Sequence, residues 1–244
     1  MDLKQGKTLI FDIETVGEDF DEFDETTQNV LTSQARTTAT DEPSLANAIQ
    51  AVRERLALNP LTGQIIAIGV LDAETKKGAV YYQSTDASNQ ETVDGDMRFI
   101  PLAEPEMLQR FWRVAQVSRR LVGFNSRSFD AFYLNIRSAV HGIRPSVNLM
   151  SNRYLSSQRG HVQHIDLLDQ LKYYGAVSTG GLSLHMWCRA FGIKSPKDSG
   201  VDGSKVGELF RQGKSFEIAR YNVADLLVTL ELYRVWEKLL NFQQ

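Results

Sequence analysis

The sequence predicts an α/β domain built on a mixed central sheet flanked by helices. Three observations predict it. The segments TLIFDI, GQIIAIGVLD and GAVYYQ have strand length and are rich in β-branched and aromatic residues. After them, helical and extended segments alternate. The last stretch, about 216–240, carries apolar residues at helical spacing. The first three strands suit an antiparallel meander, and strands separated by helices join in parallel.

TLIFDI opens the sheet as a nearly continuous apolar run. Residues 17–62 are polar and form an insert. Within it, SLANAIQAVRERLAL places Leu45, Ala48, Ile49, Val52 and Leu56 on one helical face. GQIIAIGVLD and GAVYYQ follow as strands, joined by AETKKG, which has hairpin length. EPEMLQRFWRVAQV is helical through Met107, Leu108, Phe111 and Ala115. RRLVGFN is a short strand, SFDAFYLNIRSAVHGI a helix closing near Gly142, and VQHIDLLDQLKYYG starts extended and turns helical. SLHMWCRAFG is a helix with Gly192 just past its end. SPKDSGVDGSK is a loop and SKVGELFRQG a short helix. The final helix gathers Val223, Leu226, Leu227, Leu230, Tyr233 and Trp236 on one side.

The 244 residues suit one domain, 1–244, with the acidic and helical insert at about 17–62. Apolar content of 42% and charged content of 23% are those of a soluble globular protein rather than a disordered or membrane chain. A single cysteine, Cys188, excludes an internal disulfide framework and fits a reducing compartment. No apolar run approaches a membrane span, and the early acids of MDLKQGKTLIFD do not suit a signal peptide, so a cytoplasmic protein is expected, with no membrane partner. The net charge of −3 does not announce a nucleic-acid binder. Charge is unevenly placed, however. GEDFDEFDE, residues 17–25, is acidic throughout, and is either a solvated loop, a shield or a partner surface. Residues 119–159 hold arginines without lysine and only one acid, Asp130, which is either a solvated surface or a phosphate-facing groove.

Three short words carry candidate chemistry. In FDIET, Asp12 and Glu14 are two apart on a strand and share a face, while Ile13 points into the core. Adjacent carboxylates repel and resist desolvation unless a cation neutralises them, and Mg²⁺ or Mn²⁺ favours such oxygen ligands. An exposed strand end with solvated acids is the alternative. In NSRSFD, Asp130 opens a helix, where an acid also suits the helix dipole. In YNVAD, Tyr221 and Asp225 are four apart and project from one helix face, a spacing that equally suits a packed ring and a solvated acid.

Together, in this order and on these elements, the three words resemble the motifs of the DEDD superfamily of 3′–5′ exonucleases. The resemblance is to the proofreading exonuclease domain of family B DNA polymerases and its stand-alone bacterial relatives, with the tyrosine marking the DEDDy branch. IKSPKDSGVDGSKVGELFRQG also looks like the region before the third motif in the stand-alone relatives. The third motif lacks the extra acid that relatives often carry, but both required positions are present.

The resemblance implies a ribonuclease H-like fold and a metal-dependent 3′–5′ exonuclease. It implies two Mg²⁺ (or Mn²⁺) ions among Asp12, Glu14, Asp130 and Asp225, with Asp12 bridging both and Asp130 binding more weakly or through water. Tyr221 would orient the attacking water; a phenol of ordinary pKa near ~10 is a poor base at neutral pH. The substrate would be the 3′ end of a single-stranded or frayed nucleic acid, DNA rather than RNA, with nucleoside monophosphates released. Replication or repair proteins would be its partners. Thr15 and Asn125 would lie near the terminal nucleotide, and Arg127, Lys194, Lys197 and Lys205 would meet phosphates. A catalytically silent nucleic-acid-binding or partner-docking module of the same fold is the alternative. His161 and His164 lie on opposite faces of an extended segment without a nearby cysteine, which argues against zinc. Asp166 is a candidate for supporting the site from behind.

Overall fold

The structure is a computed structural model and describes residues 6–84, 90–177, 183–194 and 203–242. Among them, β1 (Lys7–Gly17), β2 (Gly63–Asp72), β3 (Gly78–Tyr82), β4 (Thr92–Asp94), β5 (Met97–Pro101), β6 (Ser118–Gly123) and β7 (Gln163–Asp166) form one sheet. Its order is β4-β5-β3-β2-β1-β6-β7. The meander β1–β2–β3 is antiparallel, and β6 and β7 join β1 in parallel, as the alternation of elements predicts. The pair β4–β5 is not anticipated by the sequence reading. It is a short hairpin closed by Gly95 at φ 60°, with β5 lying parallel to β3.

The helices are α1 (Glu25–Thr38), α2 (Glu42–Arg55), α3 (Glu104–Ala115), α4 (Asp130–Val140), α5 (Leu167–Leu171), α6 (Leu184–Phe191), α7 (Val206–Arg211) and α8 (Ser215–Leu239). Residues of β1 alternate between two cores. Leu9, Phe11 and Ile13 pack with Met107, Leu108 and Phe111 of α3 and with Ala131 and Leu134 of α4. Ile10 packs on the other side with Leu226, Leu230 and Tyr233 of α8. Each fully buried isoleucine or leucine here contributes about 1.5–3 kcal/mol relative to exposure. The even-numbered face of β1 is therefore the one α8 covers, and it carries Asp12 and Glu14. Leu227, expected on the inner side of α8, is exposed instead, while Leu232 is buried, because α6 and α7 also pack against this helix.

The insert is more ordered than its composition suggests. It is a helical hairpin, and α1 is not foreseen by the sequence reading. Much of its acidic run is used in local structure. Asp19 caps a 3₁₀ turn, Asp24 caps α1 by accepting from Thr27 N–H, and Asp21 pairs with Arg53 of α2. The return to the sheet is fixed by a buried cluster. Glu104 accepts from Ile65 N–H and from Arg137, and pairs with His141, while Arg137 also donates to the Pro60 carbonyl. Burial alone would raise the Glu104 carboxyl, but the hydrogen bonds from Arg137 and His141 hold it below its ordinary value.

Candidate active site

Asp12 and Glu14 stand directly opposite Gly69 and Ala67 on β2. These small partners leave room for α8 to approach the strand pair. Immediately after Glu14 the register shifts, so that Thr15 faces Ile65 and Ile66 is an extra residue on β2. This bulge bends the strands at the point where the acids emerge. Thr15 is then anchored through Oγ1, which donates to the Ala57 carbonyl at 2.8 Å.

From above, α8 supplies Tyr221 and Asp225, one turn apart on one face. Carboxylate oxygens of Asp12, Glu14 and Asp225 all lie within 4.8 Å of one another. Asp130 joins from the start of α4. Pairing between β1 and β6 ends at Ile10 and Val122, and beyond that point Asp130 Oδ1 accepts the backbone N–H of Ile13 at 3.1 Å. The acid of the second motif is thus held by the residue between the two acids of the first.

The electrostatics follow from this crowding. Burial raises the carboxyls of Asp12 and Glu14 well above their ordinary values, and their acidic neighbours raise them further. Burial likewise moves Asp130 to about 7, despite hydrogen bonds from its own backbone and Ile13 and with added repulsion from Asp166 and Asp225. Tyr221 lies one turn from Asp225, and burial followed by repulsion from Asp225 and Glu14 drives its phenol far above the ordinary range. It is a neutral hydroxyl at any physiological pH. A set of oxygen donors this desolvated and mutually repelling fits a hard divalent cation, which would offset the repulsion and release the protons.

The loop bearing the second motif is held from β7. Asp166 accepts the N–H groups of Asn125 and Arg127 at 2.9 Å each and also caps α5. Two residues earlier, His164 lies on the same face. Its Nδ1–H donates to the Leu149 carbonyl, so Nε2 accepts the Ser126 hydroxyl at 2.8 Å. Burial lowers the imidazole to about 4 and keeps it neutral. Asn125 sits in the left-handed region at φ 58°, a conformation asparagine tolerates better than most residues.

The Arg127 guanidinium donates to the carbonyls of Leu149 and Ser151. Lys194 is exposed just beyond Gly192, which closes α6 at φ 69°. Lys205 is exposed before α7, and Lys197 lies outside the described residues. Three of the arginines of 119–159 are paired with acids on other elements. Arg120 pairs with Glu237, Arg137 with Glu104 and Arg153 with Asp169. His161 bonds the Gln116 carbonyl, away from the partners of His164.

Sequence reasoning passes over Asn222, which is fully buried and donates through Nδ2 to Asp12 Oδ2 at 2.8 Å. The signal was its position between Ala219 and Leu226 on the apolar side of α8, where an amide must be buried.

A seven-stranded mixed sheet with acids converging from its first strand, a following helix start and its last helix defines a ribonuclease H-like fold of the exonuclease type. Residues 58–243 match the family described as "Predicted 3'-5' exonuclease related to the exonuclease domain of PolB", and the chain belongs to that family. The matched span begins after β1 and so does not include Asp12 and Glu14, which β1 brings to Asp225. Among solved structures, the chain is similar to the family B DNA polymerase from the hyperthermophilic archaeon Pyrobaculum calidifontis. The TM-score is 0.59 at 16% identity, over 95% of this chain and 24% of the polymerase. The chain thus corresponds to about a quarter of that protein, and the likeness is one of fold. No curated protein matches it by sequence. No helix among the described residues is long and apolar enough to cross a membrane.

Proposed function

We propose that the chain is a single-domain DEDDy 3′–5′ exonuclease using two Mg²⁺ or Mn²⁺ ions, with the hairpin of about 17–62 as an insert. It would remove nucleoside monophosphates from the 3′ ends of single-stranded or frayed DNA in preference to RNA, in the cytoplasm and beside replication or repair proteins. The observation that carries this reading is the meeting of Asp12, Glu14 and Asp225 within 4.8 Å, with Tyr221 one turn before Asp225 on the same helix.

Asp12, Glu14 and Asp225 would hold the cations directly, with Asp130 contributing from the side. When bound, such ions stabilise the charge on the attacking and leaving oxygens of a phosphodiester and make water more acidic. Tyr221, a neutral phenol, orients the attacking water by a hydrogen bond and leaves its proton to other acceptors. Backbone groups at Thr15 and the amide of Asn125 would meet the terminal nucleotide, and Lys194, Lys197 and Lys205 would meet the upstream phosphates. Arg127 contributes chiefly by tying its own loop to residues 149–151.

The test uses oligonucleotides of DNA and RNA labelled at either end, with Mg²⁺, Mn²⁺ or EDTA. Stepwise loss from the 3′ end that EDTA abolishes supports the reading. Binding without degradation in either metal overturns it in favour of a silent binding module.

A further inference from the structure

We infer that Asn222 is a positioning residue that fixes the carboxylate pair of the first strand for cation binding, and that Gly69 is the space its amide requires. The inference rests on the two-cation reading and adds to it a residue outside the four acids and the tyrosine. Nδ2 of Asn222 donates to Asp12 Oδ2 at 2.8 Å, and the amide's presence also favours the charged form of the neighbouring Glu14 carboxyl. The bond to Asp12 fixes the amide's orientation: reversing it would set Oδ1 against a carboxylate.

The opposite side of the amide shows what this placement demands. Asn222 has no exposed surface, and its Oδ1 has no hydrogen-bond partner. Buried polar atoms are almost always satisfied, so an orphan of this kind calls for a compensating role. A residue serving only to pack α8 on the sheet would be apolar, like Ala219 and Leu226 on the same side of the helix. Oδ1 is pressed onto Gly69, where an added Cβ would lie 1.9 Å from it. Gly69 is also the residue directly opposite Asp12. The strand pair thus presents a carboxylate on one side and a gap on the other, and a single amide fills the gap and grips the carboxylate. This holds Asp12 in place beside Glu14 against their mutual repulsion.

The test separates gripping from filling. Asn222→Ala removes the amide and opens a cavity. Adding Gly69→Ala puts a methyl group into that cavity, and only the Leu226 Cδ1 tip, at 2.6 Å, has to move aside. Mn²⁺ affinity is measured by titration calorimetry, and the melting temperature is measured in EDTA. Asn222→Ala is expected to weaken Mn²⁺ binding by roughly 10–100-fold, the scale of losing a residue that orients a metal ligand. The double variant is expected to recover melting temperature without recovering affinity. Mn²⁺ affinity in Asn222→Ala equal to wild type, or affinity restored together with melting temperature, overturns the inference and leaves Asn222 as packing. A wild-type protein that binds no Mn²⁺ overturns the two-cation reading itself, and this inference with it.

Discussion

The backbone N–H of Ile13 donates to Asp130 Oδ1 across 3.1 Å, so one carboxylate closes the gap where β1 and β6 part and is delivered to the acidic cluster by the same bond. Asp130 therefore has a structural task separable from its charge. Asp130→Asn keeps an oxygen for Ile13, whereas Asp130→Ala leaves a buried N–H unpaired. The alanine variant should lose about 1–3 kcal/mol in urea unfolding, and the asparagine variant distinctly less. Both should lose nuclease activity. Equal stability of the two variants would remove the Ile13 contact from the account.

The crowded acids set a pH dependence whose sign is fixed. Asp130 has its pKa raised to about 7, and Asp12 and Glu14 are also raised, so the folded protein holds protons that the unfolded chain has released. Stability from these groups is full below the ordinary carboxylate range and is lost as pH rises through the folded values. His164, lowered to about 4, acts oppositely, but its contribution is complete above its ordinary value of 6.5. In EDTA, the melting temperature should therefore fall between about pH 6.5 and 8. Mg²⁺ should reverse the fall, with a larger gain at pH 8 than at 6.5. A flat or rising profile in EDTA would contradict the protonated cluster.

Asp12→Asn relieves one repulsion while leaving an oxygen for the Asn222 amide. In EDTA at pH 8 this variant should melt about 2–4 °C above wild type, the equivalent of ~1 kcal/mol in a chain of this size. Its exonuclease rate should fall by roughly 10²–10³-fold, the scale of deleting one group that stabilises transition-state charge. A lowered melting temperature would show that Asp12 stabilises the fold rather than the site.

Tyr221→Phe removes a hydroxyl that does not ionise in the working range. Turnover should slow by about 10²-fold, as expected for a misplaced reactant, while Mn²⁺ affinity stays at the wild-type level. The pH–rate profile should keep its shape, because no titrating base has been lost. An unchanged rate would take Tyr221 out of the mechanism.

The parts of this protein that were legible in its sequence are those where period and chemistry coincide. FDIET shows its acids on one face because a strand alternates, and Tyr221 and Asp225 align because a helix repeats. GQIIAIGVLD matches β2 residue for residue. Other parts are silent for physical reasons. In α1 only Thr32 and Ala35 are buried, so no apolar stripe marks it. The strand β4 has three exposed residues, so no buried face marks it. The role of Asn222 depends on Asp12, 210 residues earlier, and on a glycine in a third segment. No local pattern encodes a contact of that separation. The same holds within the arginine-rich stretch: the partners of Arg120, Arg137 and Arg153 are acids on other elements, which composition does not reveal.

The helical hairpin departs from the sheet at Gly17 and comes back at Gly63, and those two glycines are register partners. An excursion whose ends already meet can grow or shrink with little entropic effect, since closing a loop depends only weakly on its length. The stretch can thus lengthen or shorten by whole helices while the carboxylates just beyond the bulge keep their positions.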